Sequence, residues 1–201
     1  TALSLVYLRA LYAGPSPRHR LRTMFTIHNI GYQGLFPATD YWKTGLGTEL
    51  FTPKALEFYG SVNLLKGGLV FADFLTTVSP TYSREIQTSE FGFGLDGVLR
   101  ERQDRLAGII NGIDADLWNP AADPYVPCRY SASDLSGKKV CKAALQREMN
   151  LPVRAEVPLL GIVSRLTEQK GLDLVAAVLP ELATLDLQVV LLGSGDPAAD
   201  A

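Results

Sequence analysis

Cysteine is almost missing from this chain. Only Cys128 and Cys141 occur among 201 residues, and neither lies near a second Cys or a His in sequence. Neither a disulfide framework nor a zinc site is therefore suggested, and a reducing cytosol or plastid is the setting to expect. A surplus of charge is missing too: 19 Lys and Arg face 21 Asp and Glu, for a net charge of −2. Whole-protein attraction to nucleic acid or to an anionic membrane is not expected from that balance. No apolar run approaches the roughly 20 residues that span a bilayer, and the amino end has no basic-then-apolar signal layout, which predicts a soluble protein. Internal repeats, low-complexity tracts and a Gly-x-x-x-x-Gly-Lys-Ser/Thr phosphate loop are absent as well. What is present is a 47% hydrophobic composition, enough to build a core in one large or two small domains.

Both ends read as the inside of something longer. Residues 1–10 begin within an apolar helical pattern that lacks an N-cap region, and Gly193-Ser-Gly-Asp-Pro stops just after a strand pattern. Between them, strand and helix patterns alternate. Residues 3–11 fit a helix ending at Gly14-Pro15, followed by a Pro- and Arg-rich connection through Arg22. Residues 23–27 read as a short buried strand, which puts His28 and Asn29 at its carboxyl end. A lone histidine there is more often structural than catalytic. The following Gly31-Tyr-Gln-Gly-Leu-Phe-Pro loop offers glycines for tight backbone and aromatics for a sugar face. Residues 39–60 read as irregular with a short helical piece near 53–58, and residues 61–72 as a helix on which Asn63, Lys66 and Gly67 share one side. That side suits either a ligand cleft or a solvated face with a close-packing glycine.

Residues 74–79 predict another strand, with Ser79 as N-cap and Pro80 at the first position of the next helix. A glycine-rich bend, 92–97, precedes a helix over 98–105, and a strand over 106–110 runs into Asn111-Gly112, a tight-turn pair. Asn111 is a turn former first, and the third polar residue at a strand's carboxyl end. Three prolines within 120–127 make residues 116–134 the best linker. A helix over 138–149, started near Asp134 or Ser136 and closed by Asn150-Leu-Pro, leads to a βαβ unit: a buried strand over 157–163, a helix over roughly 169–185 and a strand over 187–192.

Within that unit lies Val163-Ser-Arg-Leu-Thr-Glu-Gln-Lys-Gly. It places Arg165 and Lys170 at a strand-to-helix turn, where open α/β sheets present their ligands, and two cations beside a helix amino end suit a diphosphate. On this segment alone, solvated or ion-paired charges at an ordinary turn are the simpler reading. Gly193-Ser194-Gly195 forms a second turn one parallel strand away, on the same edge of the sheet.

Five stretches taken together resemble a known family: Phe25-Thr-Ile-His-Asn-Ile-Gly-Tyr-Gln-Gly, Asn63-Leu-Leu-Lys-Gly-Gly-Leu-Val-Phe-Ala-Asp, Thr76-Thr-Val-Ser-Pro-Thr-Tyr, Gly108-Ile-Ile-Asn-Gly-Ile-Asp-Ala-Asp-Leu-Trp-Asn-Pro and the Arg165–Lys170 turn. In order, they look like bacterial glycogen synthase and plant starch synthase, the retaining ADP-glucose-dependent α-1,4-glucosyltransferases. The resemblance covers essentially the whole chain. It implies an α/β fold of the GT-B type, two Rossmann-like domains facing across a cleft. Residues 1–115 would be the second half of the amino-terminal domain, 116–134 the linker and 135–201 the start of the carboxy-terminal domain.

Carried over residue by residue, the resemblance gives His28, Arg165 and Lys170 catalytic roles: His28 beside the transferred glucose, the two cations on the donor diphosphate and the departing ADP. It gives Asn29, Asn111 and Gly193 substrate-binding roles, and leaves Asn63 and Lys66 without one. It implies a hexosyltransferase with ADP-glucose as donor, an α-1,4-glucan such as glycogen or starch as acceptor, no cofactor, no metal, and neither nucleic acid nor membrane as partner. The implied location is the bacterial cytoplasm first, or the plastid stroma for a plant source. The family's amino-terminal Lys-x-Gly-Gly-Leu loop, its Asp- and His-bearing segment and its later glutamate pair are not in this sequence. The expectation is therefore a fragment inactive alone, with unpaired sheet edges. Two further readings remain open: a UDP-glucose-dependent relative, and a sugar-nucleotide or glucan-binding module without turnover.

Overall fold

The structure is a computed structural model that describes residues 2–10 and 21–195. The helix end and Pro-rich connection expected over 11–20 lie outside the described residues. The chain divides into two compact units, Thr1–Gly112 and Ile113–Ala201.

In the first unit, three parallel strands form the central sheet: β1 (Met24–Ile27) and β6 (Leu106–Gly108) flank β5 (Phe74–Thr77). The β1–β5 register aligns Thr26 with Thr76, and their hydroxyls share a hydrogen bond of 2.8 Å, while Thr77 Oγ1 donates to the Ile27 carbonyl at 2.8 Å. Apolar residues of the same strands go inward. Ile27 and Leu75 are buried with Leu65, Leu69, Ile86, Leu95 and Leu99. A second cluster gathers Val6 of α1 (Ala2–Ala10) with Tyr41, Leu46, Leu56 and Val62.

Between the two clusters runs α2 (Leu64–Phe71), and its paired glycines explain how it fits. A Cβ on Gly67 would lie 2.7 Å from Leu56 Cδ2, and one on Gly68 2.7 Å from the Phe25 ring. The close-packing glycine foreseen on this helix is thus real, but the face it shares with Asn63 and Lys66 is buried and not solvated. The helix also begins later than its leucine spacing suggests. Asn63 is the N-cap, its side chain accepting from Lys66 N at 2.9 Å, and Ser61–Asn63 before it forms β4.

Strand β4 is the centre of a small antiparallel sheet, between β2 (Leu35–Pro37) and β3 (Glu57–Phe58). The helical piece expected near 53–58 is therefore a turn followed by a strand. The Pro53 carbonyl, which a helix would give to residue 57, accepts instead from Lys66 Nζ at 2.6 Å, and the Glu57 carbonyl accepts from the same ammonium at 2.5 Å. The local helix lies earlier, as a 3-10 stretch over Ala38–Thr44.

After β5, Ser79 caps α3 (Pro80–Glu85) through Thr81 N and Tyr82 N, with Pro80 at the first position as expected. Helix α4 (Asp96–Glu101) starts two residues earlier than its pattern predicts and ends before a 3-10 turn at Gln103–Arg105. Asn111-Gly112 does not form the expected tight turn. The backbone there continues without turn geometry, and the turn comes at 115–118, where the Asp114 carboxylate accepts from Asp116 N and Leu117 N. A carboxylate that closes its own turn outcompeted the Asn-Gly pair.

The second unit holds α5 (Ser136–Glu148), β7 (Leu159–Val163), α6 (Leu172–Leu182) and β8 (Gln188–Leu192). Residues 116–134 contain turns and bends without helix or strand. Asp134 accepts from Ser136 N at 2.9 Å at the start of α5, and Asn150, at φ 53°, ends it in a left-handed conformation. Strands β7 and β8 pair in parallel with Leu159 opposite Gln188, as the βαβ pattern predicts. The expected burial of β7 is not found: Val163 is 79% exposed. Among the described residues β7 has β8 as its one strand partner, and along β7 only Leu159 and Ile162 are half-buried.

Candidate functional site

Parallel strands deliver their carboxyl ends to one edge of a sheet, and the first unit uses that edge. His28 follows β1 directly and is exposed, and its imidazole makes no hydrogen bond among the described residues. The main chain around it is held firmly. Gly31 N donates to Asn29 Oδ1 at 2.9 Å, and Ile30 N donates to the Tyr82 hydroxyl at 3.0 Å, which ties the loop to α3. Asn111 lies three residues past β6 on an exposed stretch that starts with Ile109 N donating to the Thr77 carbonyl at 2.7 Å. The sheet thus brings His28, Asn29 and the approach to Asn111 to its carboxyl edge.

Beneath the His28 loop is a polar scaffold that composition does not reveal. Buried Gln33 donates from Nε2 to the Phe93 carbonyl at 3.0 Å and accepts at Oε1 from Asn63 Nδ2 at 2.7 Å. Asn63 thereby caps α2 and braces the loop at once. Lys66 extends the scaffold by clasping the Pro53 and Glu57 carbonyls. Burial lowers its ammonium pKa, an effect that the nearby Glu57 charge opposes. Gln33 and Tyr82 are the residues that sequence reasoning passed over as site-forming. Their one signal was membership in the motifs that carry His28 and Ser79.

In the second unit, Arg165 and Lys170 are both exposed on the turn that leaves β7. Residues on either side of Arg165 are pinned to the neighbouring strand: Ser164 N donates to the Leu192 carbonyl at 3.2 Å and Leu166 N to the Ser194 carbonyl at 2.9 Å. A 3-10 turn at Glu168–Lys170 follows, closed by Lys170 N donating to the Thr167 carbonyl at 2.9 Å. Gly171 then takes φ 71° to start α6. Gly193 and Gly195 lie against this turn so closely that a methyl on either would collide with the Ser164 or Leu166 carbonyl. The unit therefore unites Arg165, Lys170 and Gly193 on one carboxyl edge, beside the amino end of α6. Such an edge can hold an anion through a guanidinium, an ammonium and main-chain N–H groups. Among the described residues no three His, Cys, Asp or Glu side chains gather as a metal-ligand set, and no helix is long and apolar enough to cross a membrane.

Comparison with known proteins adds the following. The family model for the starch synthase catalytic domain matches residues 1–101. A glycogen synthase of Anaeromyxobacter dehalogenans is 59% identical over 177 residues, 88% of this chain and 37% of the relative. Glycogen synthase 2 of Geobacter sulfurreducens is 54% identical over 196 residues, 98% of this chain and 40% of the relative. The chain thus spans about two fifths of the length of these curated relatives. Among solved structures, the catalytic domain of starch synthase IV from Arabidopsis thaliana, bound to ADP and acarbose, superposes with a TM-score of 0.90 at 38% identity, covering 99% of this chain and 41% of that one.

Proposed function

Because this chain belongs to the starch synthase catalytic domain family, we propose that the protein carrying it transfers glucose from ADP-glucose to the non-reducing end of an α-1,4-glucan with retention of configuration. The observation that carries this reading is the β7 turn, which sets Arg165 and Lys170 together at a strand's carboxyl end beside a glycine turn. In the reaction, the bond from glucose C1 to the diphosphate oxygen breaks and a bond from C1 to an acceptor hydroxyl oxygen forms. The electron pair of the broken bond departs on ADP, and the proton of the acceptor hydroxyl leaves with the departing diphosphate. Charge therefore accumulates on the diphosphate as the bond stretches, and fixed cations stabilise that state more than the ground state.

Arg165 and Lys170 take that role, with Gly193 giving the nucleotide close access to main chain. His28 and Asn29 face the transferred glucose and the acceptor, and Asn111 contacts the donor region. In this reading residues 1–115 and 135–201 belong to two Rossmann-like domains joined by 116–134, no metal or other cofactor takes part, and the protein works in the bacterial cytoplasm. The glycogen synthase relatives, and a structural neighbour bound to ADP and acarbose, support the reading of a nucleotide-sugar donor and a glucan acceptor.

The test is glucose incorporation into glycogen by the full-length protein, with ADP-glucose and UDP-glucose compared. Incorporation from ADP-glucose is expected. Incorporation from UDP-glucose alone would overturn the donor, and none from either would leave a binding module.

A further inference from the structure

Three non-glycine residues among those described have positive φ: Tyr59 at 47°, Phe93 at 50° and Asn150 at 53°. Asparagine tolerates that region, but a bulky aromatic there is a departure from the steric rule. Both aromatics precede a glycine that also has positive φ, Gly60 at 79° and Gly94 at 80°. Tyr59-Gly60 joins β3 to β4 as a two-residue hairpin loop, and Phe93-Gly94 sits in a turn closed by Leu95 N donating to the Gly92 carbonyl at 2.8 Å. Positive φ at both central positions is the pattern for which Asn-Gly is the favoured sequence. The chain twice places an aromatic where asparagine would fit better.

Neither ring is used to fill the core: Tyr59 is 84% exposed and Phe93 60%. The two turns are neighbours, since a Cβ on Gly94 would lie 2.9 Å from Phe58 Cζ and 3.4 Å from Tyr59 Cε2. Each is fixed from below, Phe93 by Gln33 on its carbonyl and the hairpin by Glu57 Oε1 accepting from Gly60 N at 2.8 Å. Next to them is an open cavity of about 320 Å³ walled by Glu57, Phe58, Tyr59, Lys66 and Gly94. On the other side, a Cβ on Gly31 would lie 4.0 Å from the Phe93 ring, and Tyr32, 66% exposed, follows in the same loop as His28. Strained backbone that persists while displaying exposed side chains marks a functional surface.

We propose that Tyr32, Phe93 and Tyr59 form a track for an α-1,4-glucan chain, running from the His28 loop to the cavity at Glu57. Flat aromatic faces suit the C–H faces of pyranose rings, and a carboxylate at the end of the track accepts sugar hydroxyls. The occupant is a carbohydrate because the displayed groups are single rings on rigid turns, continuous with the loop assigned to the transferred sugar. The proposal rests on the reading of the acceptor as a glucan.

The turn chemistry supplies a clean test in the full-length protein. Tyr59→Asn and Phe93→Asn install the pair that the backbone prefers, so thermal stability is expected to hold or rise. The KM for glycogen should increase about tenfold in the double variant, its retardation in a glycogen-containing native gel should weaken, and the KM for ADP-glucose should stay within about twofold. Tyr59→Trp and Phe93→Tyr should restore retardation. Unchanged retardation and glycogen KM in the double variant would overturn the track and leave the proposed function standing. A falling Tm that accounts for the loss would make the rings structural, and loss of a dimer in sedimentation with unchanged retardation would assign the surface to a second copy; either result overturns the track. If the unsubstituted protein transfers no glucose yet is retarded, and the double variant is not, the proposed function fails and the track stands.

Discussion

The two units share one architectural idea, parallel strands that end in ligand-facing turns, but they protect it differently. In the first, β5 lies between two strands and under α2, and Leu75 is fully buried. In the second, β7 and β8 pair only with each other among the described residues, and Leu174 of α6 is 68% exposed. Hydrophobic sequence is similar in both. What differs is the number of neighbours that each strand has, and neighbours, more than the composition of a strand, decide burial.

The sharpest way to break that contrast is a matched pair of truncations. Leu75→Ala is expected to cost about 2–5 kcal/mol through lost burial and a residual cavity, whereas Leu174→Ala should stay within about 0.5 kcal/mol. Chemical denaturation of both variants measures this, and equal costs would mean that the second unit's exposed faces are covered in solution.

Turnover gives the next contrast. Lys170→Ala in the full-length protein is expected to lower kcat by about 100- to 1,000-fold, as loss of a charge-stabilising donor does. Its Tm should shift by no more than about 2 °C, since Lys170 sits on an exposed turn. A large fall in Tm with normal turnover would turn Lys170 into a structural residue.

A smaller effect tests the first unit's charge chemistry. Burial raises the Asp73 carboxyl, but hydrogen bonds from Thr23 N and Oγ1, at 2.7 and 2.9 Å, and the charges of Arg9 and Arg22 carry it below the ordinary range. A depressed acid stabilises the fold fully above its unfolded pKa, about 3.9, and loses that contribution as pH falls through the lower folded value. Asp73→Asn should cost about 1–2 kcal/mol at neutral pH and flatten the decline in stability below about pH 4. An unaltered acid limb in a thermal-melt series would remove Asp73 from that role.

How much of this was legible depended on range. Strand ends at His28 and Arg165, the Ser79-Pro80 helix start and the parallel β7–β8 pair all follow from local chemistry, and all were readable. Strands β2, β3 and β4 span only two or three residues each, and pairing alone defines them. No periodicity can show in so short a run. Lys66 was readable as a motif member but not as a clasp, because its two carbonyl partners lie 13 and 9 residues away in sequence. The candidate site divides in the same way. His28, Arg165 and Lys170 carry visible chemistry, while the Gln33–Asn63 brace exists only once the chain has folded.

The contact between Gly193, Gly195 and the Arg165 turn has a mechanical meaning. With no room for a methyl group between them, the two loops meet main chain to main chain. They act as a single plate: whatever displaces the Arg165 turn displaces the glycine turn with it. Stiffness of this kind is written into the backbone, and the buried Leu166 side chain, which lies against both glycines, adds to it.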